Sequence, residues 1–172
     1  KIHAFYNPEV GAGTSGSSSS ASSGVTATGA ATEWALEASP VDGLEIGADY
    51  VDYDGVEAVT AQDPESGSYY ATYTMGPATI GYSKSYTAFA IGGTSVGTDL
   101  TESVEGTKYS IAFNVNDDLS ISYEKEKSDP DNQTAATANY ELQATGIQAA
   151  YTMGGMTLAV AMNDYENVQY TS

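Results

Sequence analysis

Four segments of the chain superpose on one another: LEASPVDGLEIGADY (36–50), YTMGPATIGYSKSY (73–86), FNVNDDLSISYEKE (113–126) and YTMGGMTLAVAMNDY (151–165). Each is an alternating stretch, a tight turn and a second alternating stretch. The turns centre near 41, 77, 117 and 154, so one hairpin returns every 36 to 40 residues. A repeat at fixed spacing constrains the fold more than an isolated motif does, because every unit must dispose of its two faces in the same way. The pattern predicts an antiparallel up-and-down β-meander.

The connections alternate between short and long. Gly76-Pro77 and Gly154-Gly155 read as two-residue turns and Asn116-Asp117-Asp118 as a three-residue turn. Between the hairpins lie 54–67, 92–106 and 128–139, all polar and rich in Gly, Ser, Thr, Asp and Glu. Short turns at one end and long loops at the other match the layout of a transmembrane β-barrel.

Residues flanking a two-residue hairpin loop face each other and point to the same side of the sheet. Counting outward by twos from the turns gives one face in each hairpin that is apolar. It holds Trp34, Leu36, Ala38, Leu44, Ile46, Ala48 and Tyr50; Tyr69, Ala71, Tyr73, Met75, Ala78, Ile80 and Tyr82; Tyr109, Ile111, Phe113, Val115, Leu119, Ile121 and Tyr123; and Ile147, Ala149, Tyr151, Met153, Met156, Leu158, Val160 and Met162. The opposite face is small, hydroxylic or acidic. Its candidate water-facing residues are Glu33, Glu37, Glu45, Asp49, Thr72, Thr74, Ser83, Ser120, Ser122, Glu124, Gln148 and Asn163.

A soluble antiparallel sandwich also alternates along each strand. Its outward face, however, carries long Lys, Arg and Glu side chains, whereas Ser, Thr, Gly and Ala dominate the polar face here. The apolar face is rich in Tyr, which suits a membrane–water boundary better than a dry core. Tyr50, Tyr53, Tyr82, Tyr86, Tyr123 and Tyr165 fall toward the long-loop ends of their strands and are read as one aromatic girdle.

The 172 residues are enough for a single domain, 1–172, and cysteine is absent, so no disulfide framework or thiolate metal site exists. No apolar stretch approaches the roughly 20 residues of a membrane helix, so membrane residence would have to come from strands. No basic, apolar leader opens the sequence; if the protein is exported, the expectation is that a signal peptide has been removed.

Formal net charge is -18, from 23 acidic residues against five lysines and no arginine. Nucleic acid is excluded as a partner, since phosphate neutralisation needs Lys and Arg. Excess negative charge beside an aqueous path concentrates cations and repels anions, so a channel built this way should prefer cations. Acidic loops offer carboxylate oxygens to Ca²⁺ or Mg²⁺. Asp129-Pro-Asp131-Asn132, however, matches no calcium loop, and solvated loops without a cofactor are the expected reading. The tract within 7–31, GAGTSGSSSSASSGVTATG, has too little apolar content to offset its ordering entropy and is expected to form a flexible loop. Ahead of it, IHAFY (2–6) alternates and reads as the end of a ninth strand.

Catalytic constellations are scarce. His3 has no recognisable Ser or Cys partner, and Glu33/Glu37 or Glu45/Asp49 are successive pleats of one strand rather than a converging acid and base. An enzyme is not expected.

The hairpins YTMGPATIGYSKSY and GIQAAYTMGGMTLAVAMNDYEN resemble those of Gram-negative outer-membrane porins, particularly the acidic type of alphaproteobacteria. The resemblance covers about 32–170 and rests on repeated hairpins. It implies a transmembrane antiparallel up-and-down β-barrel in the outer membrane, a homotrimer of 16-stranded barrels. Each barrel would hold a water-filled pore for passive diffusion of small hydrophilic solutes and cations. Tight turns would face the periplasm. Trp34, Leu36, Ile46, Tyr50, Tyr73, Ile80, Tyr82, Ile111, Phe113, Ile121, Tyr123, Tyr151, Leu158 and Val160 would then meet lipid or form the girdle.

The chain departs from that family in two ways. Members end in an aromatic residue, where this sequence reads Gln169-Tyr170-Thr171-Ser172, and members are about twice as long. Eight to nine strands are visible, so the expectation is the C-terminal half of a porin cut before its final strand. The family's basic constriction cluster has no counterpart. Two other classes stay open. One is a complete eight-stranded barrel acting as an anchor or adhesin, whose interior the small lining would leave underfilled. The other is a soluble acidic cell-surface β-sandwich.

Overall fold

The computed structural model describes residues 2–7, 31–53, 60–89, 91–92, 101–133 and 139–168. The Ser/Gly tract, parts of the acidic connections (54–59, 93–100 and 134–138) and the last four residues lie outside them. Nine strands form one sheet: β1 (Ile2–Asn7), β2 (Ala31–Val41), β3 (Leu44–Tyr53), β5 (Glu65–Met75), β6 (Ala78–Ala88), β8 (Thr101–Asn114), β9 (Leu119–Asn132), β10 (Leu142–Met153) and β11 (Met156–Glu166). Two short strands, β4 (Thr60–Gln62) and β7 (Ile91–Gly92), pair separately. Every strand of the large sheet pairs antiparallel with its neighbours in chain order, which is an up-and-down meander. IHAFY and Asn7 form a ninth strand on β2, with Ile2 opposite Leu36 and Asn7 opposite Ala31.

The turns follow from their residues. Gly154 and Gly155 both have positive φ, 56° and 89°. That is the backbone of a primed hairpin turn, whose twist matches the flanking strands. At the three-residue turn the Asn116 side chain accepts from the backbone N–H groups of Asp118 and Leu119, both at 2.9 Å. Asn does here what an extra peptide carbonyl would do, closing the turn on itself.

The first hairpin differs from the sequence expectation of a turn near 41. The turn is Asp42-Gly43, flanked by Val41 and Leu44, and Ala38 lies opposite Ile46. One extra residue on β2, within Ser39-Pro40, makes a bulge. Pro40 has no N–H to give the ladder, so the register breaks where it stands. Gly43 has φ 78°, and a Cβ there would run into the Thr74 carbonyl, so the turn is tied to β5 by close backbone approach.

The strands also run further than the sequence suggests. Glu65–Gly67, Thr101–Gly106 and Ser128–Asn132 fall within the polar stretches 54–67, 92–106 and 128–139 that read as loops, yet they extend β5, β8 and β9. Both faces of these extensions are polar, so alternation could not mark them as strand. Near them Gln62 Nε2 donates to the carbonyls of Phe89 (3.0 Å) and Glu102 (2.9 Å), joining the β3–β5 connection to the β6–β8 one.

The registers contain a constant stagger. Leu44, beside the first turn, lies opposite Tyr73, two residues before the second turn begins at Met75. Ala78 lies opposite Phe113, two residues before Val115 at the third turn. Leu119 lies opposite Tyr151, two residues before Met153 at the fourth. Each hairpin is therefore displaced two residues along the strands relative to the last, or one residue per strand. At about 3.3 Å rise and 4.8 Å between strands, that shear corresponds to strands inclined by about 35° to a line through the turns.

The described residues form no conventional core. The buried apolar residues among those described are Ala31, Ala88 and Ile91, and no large side chain is fully buried. Ile80 (53%), Ile111 (48%), Leu158 (66%) and Met162 (72%) stand exposed on one face of the sheet. With their large apolar side chains left partly uncovered, the described residues do not realise among themselves the hydrophobic contribution that normally stabilises a soluble domain.

Candidate functional site

Directly opposed residues in an antiparallel ladder share a face, so the pairings assign every side chain. One transverse row of the polar face runs Glu37, Gly47, Tyr70, Ser83, Lys108, Glu126, Ala144, Tyr165. The next row toward the turns runs Glu45, Thr72, Gly81, Ser110, Glu124, Gly146, Asn163. Beyond it come Thr74, Thr79, Ala112, Ser122, Gln148 and Ala161. Asp49 lies opposite Ala35 and Ser68, Glu33 opposite Val51, and Ser120 opposite Asn114 and Ala150. All twelve candidate water-facing residues thus share one face.

Their charges are sorted across the sheet. Glu33, Glu37, Glu45 and Asp49 crowd β2 and β3. Tyr70 leans over Gly47, where a Cβ would collide with its ring, and its hydroxyl donates to Glu45 Oε1 at 2.8 Å. Ser68 Oγ donates to Asp49. Here the missing glycine side chain lets an aromatic ring cover the strand and hold a carboxylate in place. On β6 the face is cleared to Gly81, Ser83 and Ser85. Lys108 and Glu124 form an ion pair at 2.9 Å across β8 and β9. The wall of β10 and β11 is neutral, with Gln148, Ala150, Thr152, Thr157, Ala159, Ala161 and Asn163; Thr152 and Thr157 hydroxyls meet at 3.1 Å.

The apolar face is equally ordered. Trp34 packs on Tyr50 with ring centroids 6.4 Å apart, and Tyr82 bridges Tyr69 (6.1 Å) and Tyr109 (5.2 Å). Tyr86 and Tyr123 join them on this side. Tyr53 and Tyr165 do not belong to the girdle: Tyr53 lies opposite Ala31 and Tyr165 opposite Ala144, both on the polar side. Lys84, Lys125 and Lys127 stand on the apolar side at its loop-end margin, where Lys84 pairs with Glu105 at 2.9 Å and Lys127 with Glu141 at 2.8 Å. The Lys127 ammonium holds the Glu141 carboxyl below the ordinary carboxylate range. Long stems on apolar surface with charged heads at its edge are the behaviour of lysine at a hydrocarbon boundary.

Lys108 and Ser68 are absent from the residues that the sequence singles out as water-facing. Parity from Tyr109 marks Lys108 as polar-face, but its pairing with Glu124 depends on the β8–β9 register. Among the described residues no group of three or more His, Asp or Glu side chains is placed to hold a metal ion. No described helix is long and apolar enough to cross a membrane, which does not bear on strands. Compared with known proteins, the chain matches no family model and no curated protein sequence.

Proposed function

We propose that this chain forms the wall of a β-barrel channel in a bacterial outer membrane, as its porin-like hairpins imply. Such a channel would let small hydrophilic solutes pass by diffusion, with cations preferred. The observation that carries the reading is the pairing of two features: an apolar face that the described residues of this chain leave exposed, and an opposite face of small and acidic side chains. In water the first is a liability. Against hydrocarbon it is the required surface, because lipid accepts apolar side chains while every backbone N–H and C=O is satisfied by a neighbouring strand.

The stagger supports closure. A sheet can become a barrel only if its strands tilt and shear, typically by 35–45°, and the inclination of about 35° that follows from one residue per strand lies in that range. The apolar stretches Tyr69 to Met75 and Met156 to Met162 each extend about 20 Å at 3.4 Å per residue. With their end side chains they approach the roughly 25 Å apolar band of outer-membrane barrels. Trimeric assembly and the periplasmic side of the tight turns come with the resemblance and belong to the same proposal. The reading assigns the chain no chemical step and no resident metal.

Selectivity tests it. Neutralising Glu37, Glu45, Asp49 and Glu124 together to Gln or Asn should shift the reversal potential in a planar bilayer under a salt gradient toward zero, with conductance retained. An unchanged reversal potential would remove these carboxylates from the ion path. Absence of any conductance from the wild-type protein would favour a filled eight-stranded anchor instead.

A further inference from the structure

We propose that Lys108 is the selectivity-setting cation of the polar face, masking Glu124 and leaving the β2–β3 carboxylates as the dominant field. The inference rests on reading this face as a channel wall. Of the described lysines, Lys84, Lys125 and Lys127 lie on the apolar side, and Lys108 alone on the polar one. Among the described residues, its neighbours on this face include no other cation. Toward β6 stand Gly81, Ser83 and Ser85, with Gly106 and Ser110 beside it on its own strand; toward β9 stand Glu124 and Glu126. A Cβ on Gly81 would sit 2.5 Å from Ser110 Oγ, so this clearing is packed closely at the level of the backbone while no long side chain rises from it.

The ion pair is open to water, with 43% of each side chain exposed. Exposed pairs contribute little to stability, so a structural role gives a weak reason for placing the face's one described lysine there. Its electrostatic role is direct. An ammonium 2.9 Å from Glu124 offsets that carboxylate for a passing ion, whereas the partners of Glu45 and Asp49 are the neutral hydroxyls of Tyr70 and Ser68. The wall thus has an acidic sector on β2–β3 and, on β8–β9, one in which Lys108 offsets one of the two carboxylates, Glu124 and Glu126. Passing cations should follow the first.

The test is ion selectivity in planar bilayers. Lys108→Gln, which unmasks Glu124, should raise the cation-to-anion permeability ratio about two-fold, as expected for one added charge beside a confined aqueous path. Glu124→Gln, which exposes the ammonium, should lower it by a similar factor. The double variant should return the ratio toward the starting value, because the two charges go together. A Lys108→Cys channel provides a control that does not depend on refolding, since the chain has no other cysteine. Attaching a cationic aminoethyl group to the open channel should reverse the shift in place. If neither single variant moves the ratio in channels that conduct, the inference is wrong and the pore stands. If the wild-type protein forms no channel, both fall.

Discussion

Under the proposed barrel reading, arginine at Ile111 and Val160 together should prevent insertion into a bilayer, while arginine at the adjacent Ser110 and Ala161 should leave it intact. Ile111 and Val160 lie in the middle of the apolar stretches of β8 and β11, on separate hairpins, and are 48% and 58% exposed. A lipid-facing Arg near the midplane of a barrel costs roughly 2–4 kcal/mol. Two distant sites add with little coupling, so the pair should cost about 4–8 kcal/mol, comparable to the whole stability of many domains. On the polar side the same charge meets water. The measurement is the fraction of protein that resists trypsin after refolding into liposomes, with the two double variants compared side by side.

Deleting one residue from a strand should be nearly as damaging, and deleting two should be milder. Removing Ser122 from β9 moves Tyr123 into the polar row and Glu124 toward hydrocarbon, because side chains alternate with period two and a one-residue slip exchanges the faces. Removing Ile121 and Ser122 together restores the alternation and shortens the strand by one pleat. The same protease assay should show almost no folded protein for the single deletion and a substantial folded fraction for the double. Equal outcomes would mean that the two faces of β9 are not distinguished by their surroundings.

The alternation was legible in the sequence because each strand carries its own face pattern, and the turns fix its phase without reference to any neighbour. Features that need two strands at once were not. The two-residue stagger between hairpins exists only in the pairings, and it turns the apolar stretches of successive hairpins into a band oblique to the hydrogen-bond rows. The bulge at Ser39-Pro40 shifts the first turn to Asp42-Gly43 without changing any face, so the assignments of Trp34, Leu36 and Ile46 survive an incorrect register. Proximity to the loop end does not put Tyr53 and Tyr165 in the girdle, because parity along the strand decides the side. Beyond the apolar band both faces meet water, and residues such as Glu105 and Asp129 there read as loop although they continue β8 and β9.

The central claim is that Met156, Leu158, Val160 and Met162 face lipid while Thr157, Ala159 and Ala161 face water. Cysteine labelling along β11 tests it directly, because the native chain contributes no background thiol. In liposomes, a membrane-impermeant maleimide should label Ala159→Cys and Ala161→Cys and spare Leu158→Cys and Val160→Cys. Bimane carried at 158 and 160 should in turn be quenched by brominated lipid chains. Labelling at 158 and 160 with protection at 159 and 161, or equal labelling of all four in protein that stays soluble without detergent, would contradict the account.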